Sequence, residues 1–159
     1  MDIETKYHGK LSIAVKDRIV FNQGIPGFPD EKAFVFLPLQ EGAPYVIMQS
    51  LQTPALAFVT VSPFVFFQDY EFEISDQVAE QLQFTSETDA TVYVILALKE
   101  PFEASTANLV APVLVNHHKQ VGKQVVLEKS PYGTKHHPFL NDIQKREGDH
   151  HARPHSENK

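Results

Sequence analysis

Tyr93-Val94-Ile95-Leu96-Ala97-Leu98 is apolar at nearly every position. Side chains on a strand alternate between faces, so a strand with one wet face reads apolar-polar-apolar. A run with no polar alternation predicts a strand buried on both faces, as in a sheet closed on itself or sandwiched. Around this run the turn residues Gly9, Gly24, Pro26, Gly27, Pro29, Pro38, Gly42, Pro44, Pro54 and Pro63 arrive often. Short stretches rich in Val, Ile, Phe and Tyr lie between them, the pattern of an all-β domain. Strands are predicted at Ile3–Tyr7, Lys10–Ala14, Ile19–Phe21, Phe34–Leu37, Val46–Gln49, Ala57–Val61, Asp69–Ile74, Thr91–Leu98, Leu109–Val115 and Gln124–Leu127. Pro112 lacks a ladder N–H, which demotes its run to an edge or a bulge. One short helix is predicted over Asp76–Leu82, capped by Ser75, with Asp76 complementing the helix dipole. A weaker helix is predicted from about Phe139 to Arg146. Glu147 to Lys159 has Ala152 as its one apolar residue and reads as disordered. The expected fold is mainly β: a small closed or highly twisted barrel-like domain over residues 1–138, with a His-rich tail over 139–159.

The chain has 159 residues, 42% of them hydrophobic and twelve of them Phe. That is enough for one domain to bury a core without staples. There is no cysteine, which excludes disulfides, Cys-ligated zinc and thiol catalysis. The N-terminus, Met1 to Tyr7, has no apolar segment of signal-peptide length, and no stretch has the length of a membrane span. The expected location is the cytoplasm. The formal net charge of −6 argues against direct binding of nucleic acid or an anionic membrane.

The charge is also unevenly spread. No lysine or arginine falls between Lys32 and Lys99, where Glu41, Asp69, Glu71, Glu73, Asp76, Glu80, Glu87 and Asp89 all lie. Alternation over Asp69–Ile74 sets Asp69, Glu71 and Glu73 on one face and Tyr70, Phe72 and Ile74 on the other. The acidic row is either a solvated sheet face or a docking surface for a basic partner. Carboxylates two apart on a strand sit about 7 Å apart, within the range of inverting glycosidases. Catalytic pairs, however, face each other across a cleft, so no catalytic residue is expected here. The doublets His117-His118, His136-His137 and His150-His151 give one ligand per face, with no His-Glu-x-x-His and no Cys, so no metal or cofactor is expected. Gly24-Ile25-Pro26-Gly27-Phe28-Pro29 has no following Lys-Ser or Lys-Thr and reads as a tight turn rather than a phosphate loop. Ser105, Thr106 and Asn108 read as loop residues that satisfy their own backbone. Phe64, Phe66 and Phe67 cannot all face one core if extended, so this run is expected to bend or to surface.

Lys6-Tyr7-His8-Gly9, Gln23-Gly24-Ile25-Pro26-Gly27-Phe28, Ser62-Pro63-Phe64, Asp69-Tyr70-Glu71-Phe72, and Lys99-Glu100-Pro101-Phe102 through Thr106-Ala107-Asn108-Leu109 together resemble the flagellar assembly factor family FliW, in its Bacillus-type form. The resemblance runs to about Pro138. It implies a small β-rich fold without enzymatic activity and two protein partners. One is CsrA, a basic, dimeric RNA-binding repressor of flagellin translation, antagonised away from its RNA surface. The other is cytoplasmic flagellin, which captures the protein and frees CsrA, so that synthesis follows secretion by partner switching. A small barrel that binds RNA directly is the alternative. The acidic row locates the expected CsrA contact at Asp69, Glu71 and Glu73, with Phe66 and Tyr70 beside them. The Pro112 edge and the Gly24–Phe28 turn are candidate flagellin contacts.

Overall fold

The computed structural model describes residues 1–139. The predicted tail helix and the disordered segment lie outside these residues, except for Phe139 itself. The elements in chain order are β1 (Asp2–Glu4), β2 (Lys10–Ser12), β3 (Ile19–Val20), β4 (Ala33–Pro38), β5 (Tyr45–Ser50), β6 (Ala57–Val61), α1 (Pro63–Phe66), α2 (Asp76–Gln81), β7 (Thr91–Ala97), β8 (Thr106–Ala107), β9 (Val113–Asn116) and β10 (Val121–Gln124). Strands pair in the order β6-β5-β4-β3-β10-β9-β7, and β6 pairs with β7 again through Thr60↔Ile95 and Val61↔Val94. That last pairing closes a seven-stranded barrel. All its pairings are antiparallel except β3 with β10, which meet in parallel at Val20 and Val121. β1 and β2 form a separate hairpin, and β8 adds to β7.

Alternation along the strands builds two layers of core. Phe34, Met48, Tyr93, Val113 and Val115 join Ile19 and Phe21 in one cluster, with Phe36, Phe58 and Ile95 against it. Ile47, Val59, Val61, Val94 and Leu96 belong to a second cluster on the opposite strand faces. The β7 run is therefore buried on both faces, as its composition predicts: Tyr93, Val94 and Leu96 are 9%, 0% and 5% exposed. Burial stops there, and Leu98 beyond the strand is exposed. At β10 the glycine is a packing requirement. A Cβ on Gly122 would stand 2.7 Å from a ring carbon of Phe21.

Four expectations are corrected. Asp69–Ile74 is not a strand. The barrel is already closed by β6 and β7, so this segment has no free edge to pair with. Its alternation survives because the backbone is extended: Asp69, Glu71 and Glu73 are exposed, Tyr70 is buried, and Phe72 and Ile74 are half-buried. A second short helix, α1, stands where the Phe-rich run bends, with Phe64 exposed and Phe66 and Phe67 half-buried. Pro112 is not on an edge strand. It precedes β9, which pairs on both sides, and its carbonyl accepts from Val125 N–H at 2.9 Å. The C-terminal strand lies at Val121–Gln124 rather than Gln124–Leu127, in register with β9. The Gly24–Phe28 stretch is a tight turn, closed by reciprocal hydrogen bonds between Ile25 and Phe28 of 3.2 and 2.8 Å. Phe28 meets Phe58 edge-on and keeps 40% exposure.

Candidate partner-binding surface

Between β6 and α2 the chain crosses the outer wall of the barrel. Ser62 precedes α1 with Pro63 at its first position, where the missing N–H costs nothing. Phe67 N–H closes the turn on the Pro63 carbonyl, and Tyr70 N–H then donates to the Phe67 carbonyl. At the far end Ser75 caps α2, its hydroxyl accepting from Val78 N–H at 3.2 Å. The segment 69–74 is thus pinned at both ends by helix caps and turns.

Side chains hold its middle. Tyr70 is 4% exposed, and its hydroxyl donates to the Leu109 carbonyl at 2.8 Å. Its ring lies 4.7 Å from Tyr132, 5.4 Å from Phe72 and 5.9 Å from Phe64. Burial, then the neighbouring Tyr132 phenol, pushes the Tyr70 hydroxyl above its ordinary acidity range. Glu71 N–H donates to Tyr132 Oη at 3.0 Å. Tyr70 therefore faces the body of the protein and anchors the segment from below, while the three carboxylates face solvent. Phe66 sits to one side, its ring 5.4 Å from Phe139. Phe139 in turn lies 4.7 Å from Phe102 and 6.4 Å from Tyr45.

Tyr132, Phe102, Phe139 and Tyr45 carry this arrangement, although the sequence marks none of them as a partner-binding residue. They are distant in the chain from residues 66–73 and show no periodicity relative to them. Only the contacts of the folded chain bring them together.

A C-terminal strap supports the same wall. His136 exchanges both main-chain hydrogen bonds with Ala107, at 2.6 and 3.0 Å. Its Nε2 accepts from Gly133 N–H at 2.8 Å, and its ring packs edge-on to Phe67 and Tyr132. The Gly133 carbonyl accepts from Leu109 and Val110 N–H. Burial, then the neighbouring His137, holds the His136 imidazole below its ordinary value of 6.5. The folded form therefore binds its proton later than the unfolded form as the pH falls. Stability from this group is complete above 6.5 and is lost as the pH drops from there toward the depressed folded value. Protonation also removes the acceptor that Gly133 uses. His117, with Nε2 2.9 Å from Tyr93 Oη and likewise depressed by burial, acts in the same direction. Thermal unfolding midpoints measured across this range should fall less steeply in His136→Gln than in the parent chain. Equal slopes would show that the imidazole is not linked to folding.

Among the described residues no group of three or more His, Asp or Glu could hold a metal ion. A cleft of about 330 Å³ lined by Lys16, Asp17, Val35, Phe36, Leu37 and His117 shares no residue with the acidic wall. Ser105 hydroxyl accepts from Lys99 N–H and Asn108 Oδ1 from Ala111 N–H, so these polar side chains serve their own loop. Among the described residues no helix is long and apolar enough to cross a membrane.

The family model for FliW protein matches residues 2–138. This chain belongs to the FliW family. The flagellar assembly factor FliW of Geobacillus thermodenitrificans is 50% identical over 145 residues, covering 91% of this chain and all of that protein. Its counterpart in Bacillus subtilis is 51% identical over 136 residues, covering 86% of this chain and 95% of that one. A crystal structure of the flagellar assembly factor FliW superposes with a TM-score of 0.83 at 50% identity, covering 87% of this chain and 97% of the other. The FliW barrel is thus the fold of this chain. The match to the FliW family model ends one residue before Phe139.

Proposed function

We propose that this chain is a flagellar assembly factor that acts in the cytoplasm by binding proteins and has no catalytic role. On this reading it antagonises CsrA, binds flagellin, and couples flagellin synthesis to secretion by exchanging one for the other. Family membership and the names of its relatives support the flagellar role. The observation that carries the binding reading is the exposed row Asp69, Glu71 and Glu73, held outward from the barrel by the buried Tyr70. Such a row destabilises the fold slightly through self-repulsion and suits a basic partner. CsrA is basic and dimeric. Charge complementarity would chiefly raise the association rate and exclude wrong partners. In the proposed contact Asp69, Glu71 and Glu73 meet the basic groups, Phe66 supplies apolar area, and Tyr70 positions the row.

Glu71→Lys is expected to weaken CsrA binding about tenfold, or ~1.4 kcal/mol, mostly through a slower association rate, with the fold intact and the thermal midpoint equal to the parent's or slightly higher as the row's repulsion is relieved. Binding kinetics at low and high salt check this. A variant that binds CsrA at the parent rate would reduce the row to a solvated face. RNA binding by the chain alone, weakening steeply with salt, would favour direct RNA recognition instead.

A further inference from the structure

The cleft between Lys16, Asp17, β4 and His117 lies along an interrupted strand edge. Val35 and Leu37 pack in the outer cluster with Ile3 and Ile13, whereas Phe36 packs against the inner one. Side chains from both faces of β4 line one cleft only where it follows the main chain. The ladder shows which edge this is. Leu51 N–H donates to the Ala33 carbonyl and Leu39 N–H to the Tyr45 carbonyl, so the odd-numbered residues of β4 bond to β5. The even-numbered ones face β3, as Phe34 does opposite Ile19. Continued in that register, Asp17 would stand opposite Phe36. Instead the chain turns away in a 3-10 turn over Val15–Asp17, where Asp17 N–H donates to the Ala14 carbonyl at 2.9 Å. The Phe36 N–H and C=O therefore meet no strand. The Phe36 ring is committed to the core, stacked 4.5 Å from Tyr93.

The open edge is one residue long. Phe34 has its partner in Ile19, and Pro38 has no N–H while its carbonyl accepts from His8 Nε2 at 2.9 Å. Strand addition by a protein partner draws on a run of main-chain bonds, which this edge does not offer. One donor and one acceptor fit a single residue of a small ligand, as in one ladder pair. Two opposite charges line the same cleft. Lys16 is exposed and its ammonium makes no hydrogen bond among the described residues. Asp17 uses one carboxylate oxygen on Ala14 N–H at 3.3 Å. The remaining walls are Val35, Phe36, Leu37 and His117, whose Nε2 is engaged with Tyr93 Oη at 2.9 Å. The volume of about 330 Å³ is at the small end for a ligand site.

We propose that this cleft binds a zwitterionic dipeptide with uncharged side chains. The ligand's C-terminal residue pairs with Phe36: its peptide N–H donates to the Phe36 carbonyl, and its carboxylate accepts from Phe36 N–H. Lys16 takes the same carboxylate, a charge-assisted contact. Asp17 takes the ligand's ammonium. The cleft shares no residue with the acidic wall, so this site is independent of the CsrA reading.

An amide NMR titration of the full chain with alanyl-leucine tests the site. The Phe36 amide should move downfield and saturate with a Kd of about 1 mM or tighter, the strength ordinary ligand efficiency gives a molecule of this size. Lys16→Gln should weaken binding about fivefold, the upper worth of an exposed ion pair, and unmoved β7 amides show that the variant is folded. N-acetyl-alanyl-leucine, which lacks the ammonium, should lose affinity to a similar degree. A Phe36 amide that stays in place up to about 10 mM dipeptide would overturn the proposal. So would equal affinity in Lys16→Gln. Equal binding of the acetylated form would overturn the dipeptide assignment, because the cleft would then read only the C-terminus of a longer chain.

Discussion

Phe21→Ala is expected to destabilise the barrel by about 3–5 kcal/mol, toward the upper part of that range. Phe21 is fully buried, with its ring 5.3 Å from Phe34 in an edge contact and 6.4 Å from Phe36 in a stack. The cost of such a truncation depends on how far the walls can collapse into the cavity. Here they are a closed circuit of hydrogen-bonded strands, which resists inward movement. The nearest wall is also bare, because Gly122 has no side chain to lean into the space. The same proximity predicts a reversal of sign. Gly122→Ala alone crowds the Phe21 ring and should destabilise, since overpacking costs about 1–3 kcal/mol. Added to Phe21→Ala, it fills part of the cavity and should recover stability. Denaturant unfolding of the two single variants and the double variant measures the coupling. Additive costs would show that the two positions do not share one packing site.

The barrel was legible where burial acts locally. Tyr93 to Leu96 announced two buried faces by lacking a polar alternate, and Ala57–Val61 stands at the residues its β-branched pattern marked. The acidic row was legible as alternation but not as a strand. Alternation reports an extended backbone docked on one side, and it does not reveal whether a neighbouring strand is available. Closure between β6 and β7 decides that, and it is a long-range pairing with no local signature. Pro112 misled for a related reason. A proline argues for an edge only if it lies inside the ladder, and here β9 begins one residue later. The aromatic cluster was not legible at all. Tyr45, Phe66, Phe102 and Phe139 come from four separate segments, and each taken singly reads as an ordinary core residue. Their meeting brings Phe139 against Phe66, three residues before the acidic row begins, which no composition argument could supply.

Tyr70→Ala is expected to cost about 3–5 kcal/mol and to weaken CsrA binding more than Glu71→Lys does, although it leaves every carboxylate in place. The ring is the center of the packing under residues 69–74, touching Phe64, Phe72 and Tyr132. Without it the Glu71 N–H contact to Tyr132 loses its support, and the segment has no ladder hydrogen bonds to fall back on. The carboxylates would then point in many directions, and ordering them would have to be supplied by the binding energy. Tyr70→Phe separates packing from hydrogen bonding. It keeps the ring and loses only the bond to the Leu109 carbonyl, at a cost of about 1 kcal/mol, so CsrA binding should stay near the parent value. Affinity should therefore fall in the order parent and Tyr70→Phe, then Glu71→Lys, then Tyr70→Ala, measured well below each variant's unfolding midpoint. If Tyr70→Ala bound as tightly as the parent while folded, the row would act as diffuse charge and its fixed geometry would be irrelevant. If Tyr70→Phe bound as weakly as Tyr70→Ala, the hydroxyl bond to Leu109, and not the ring, would be what holds the surface.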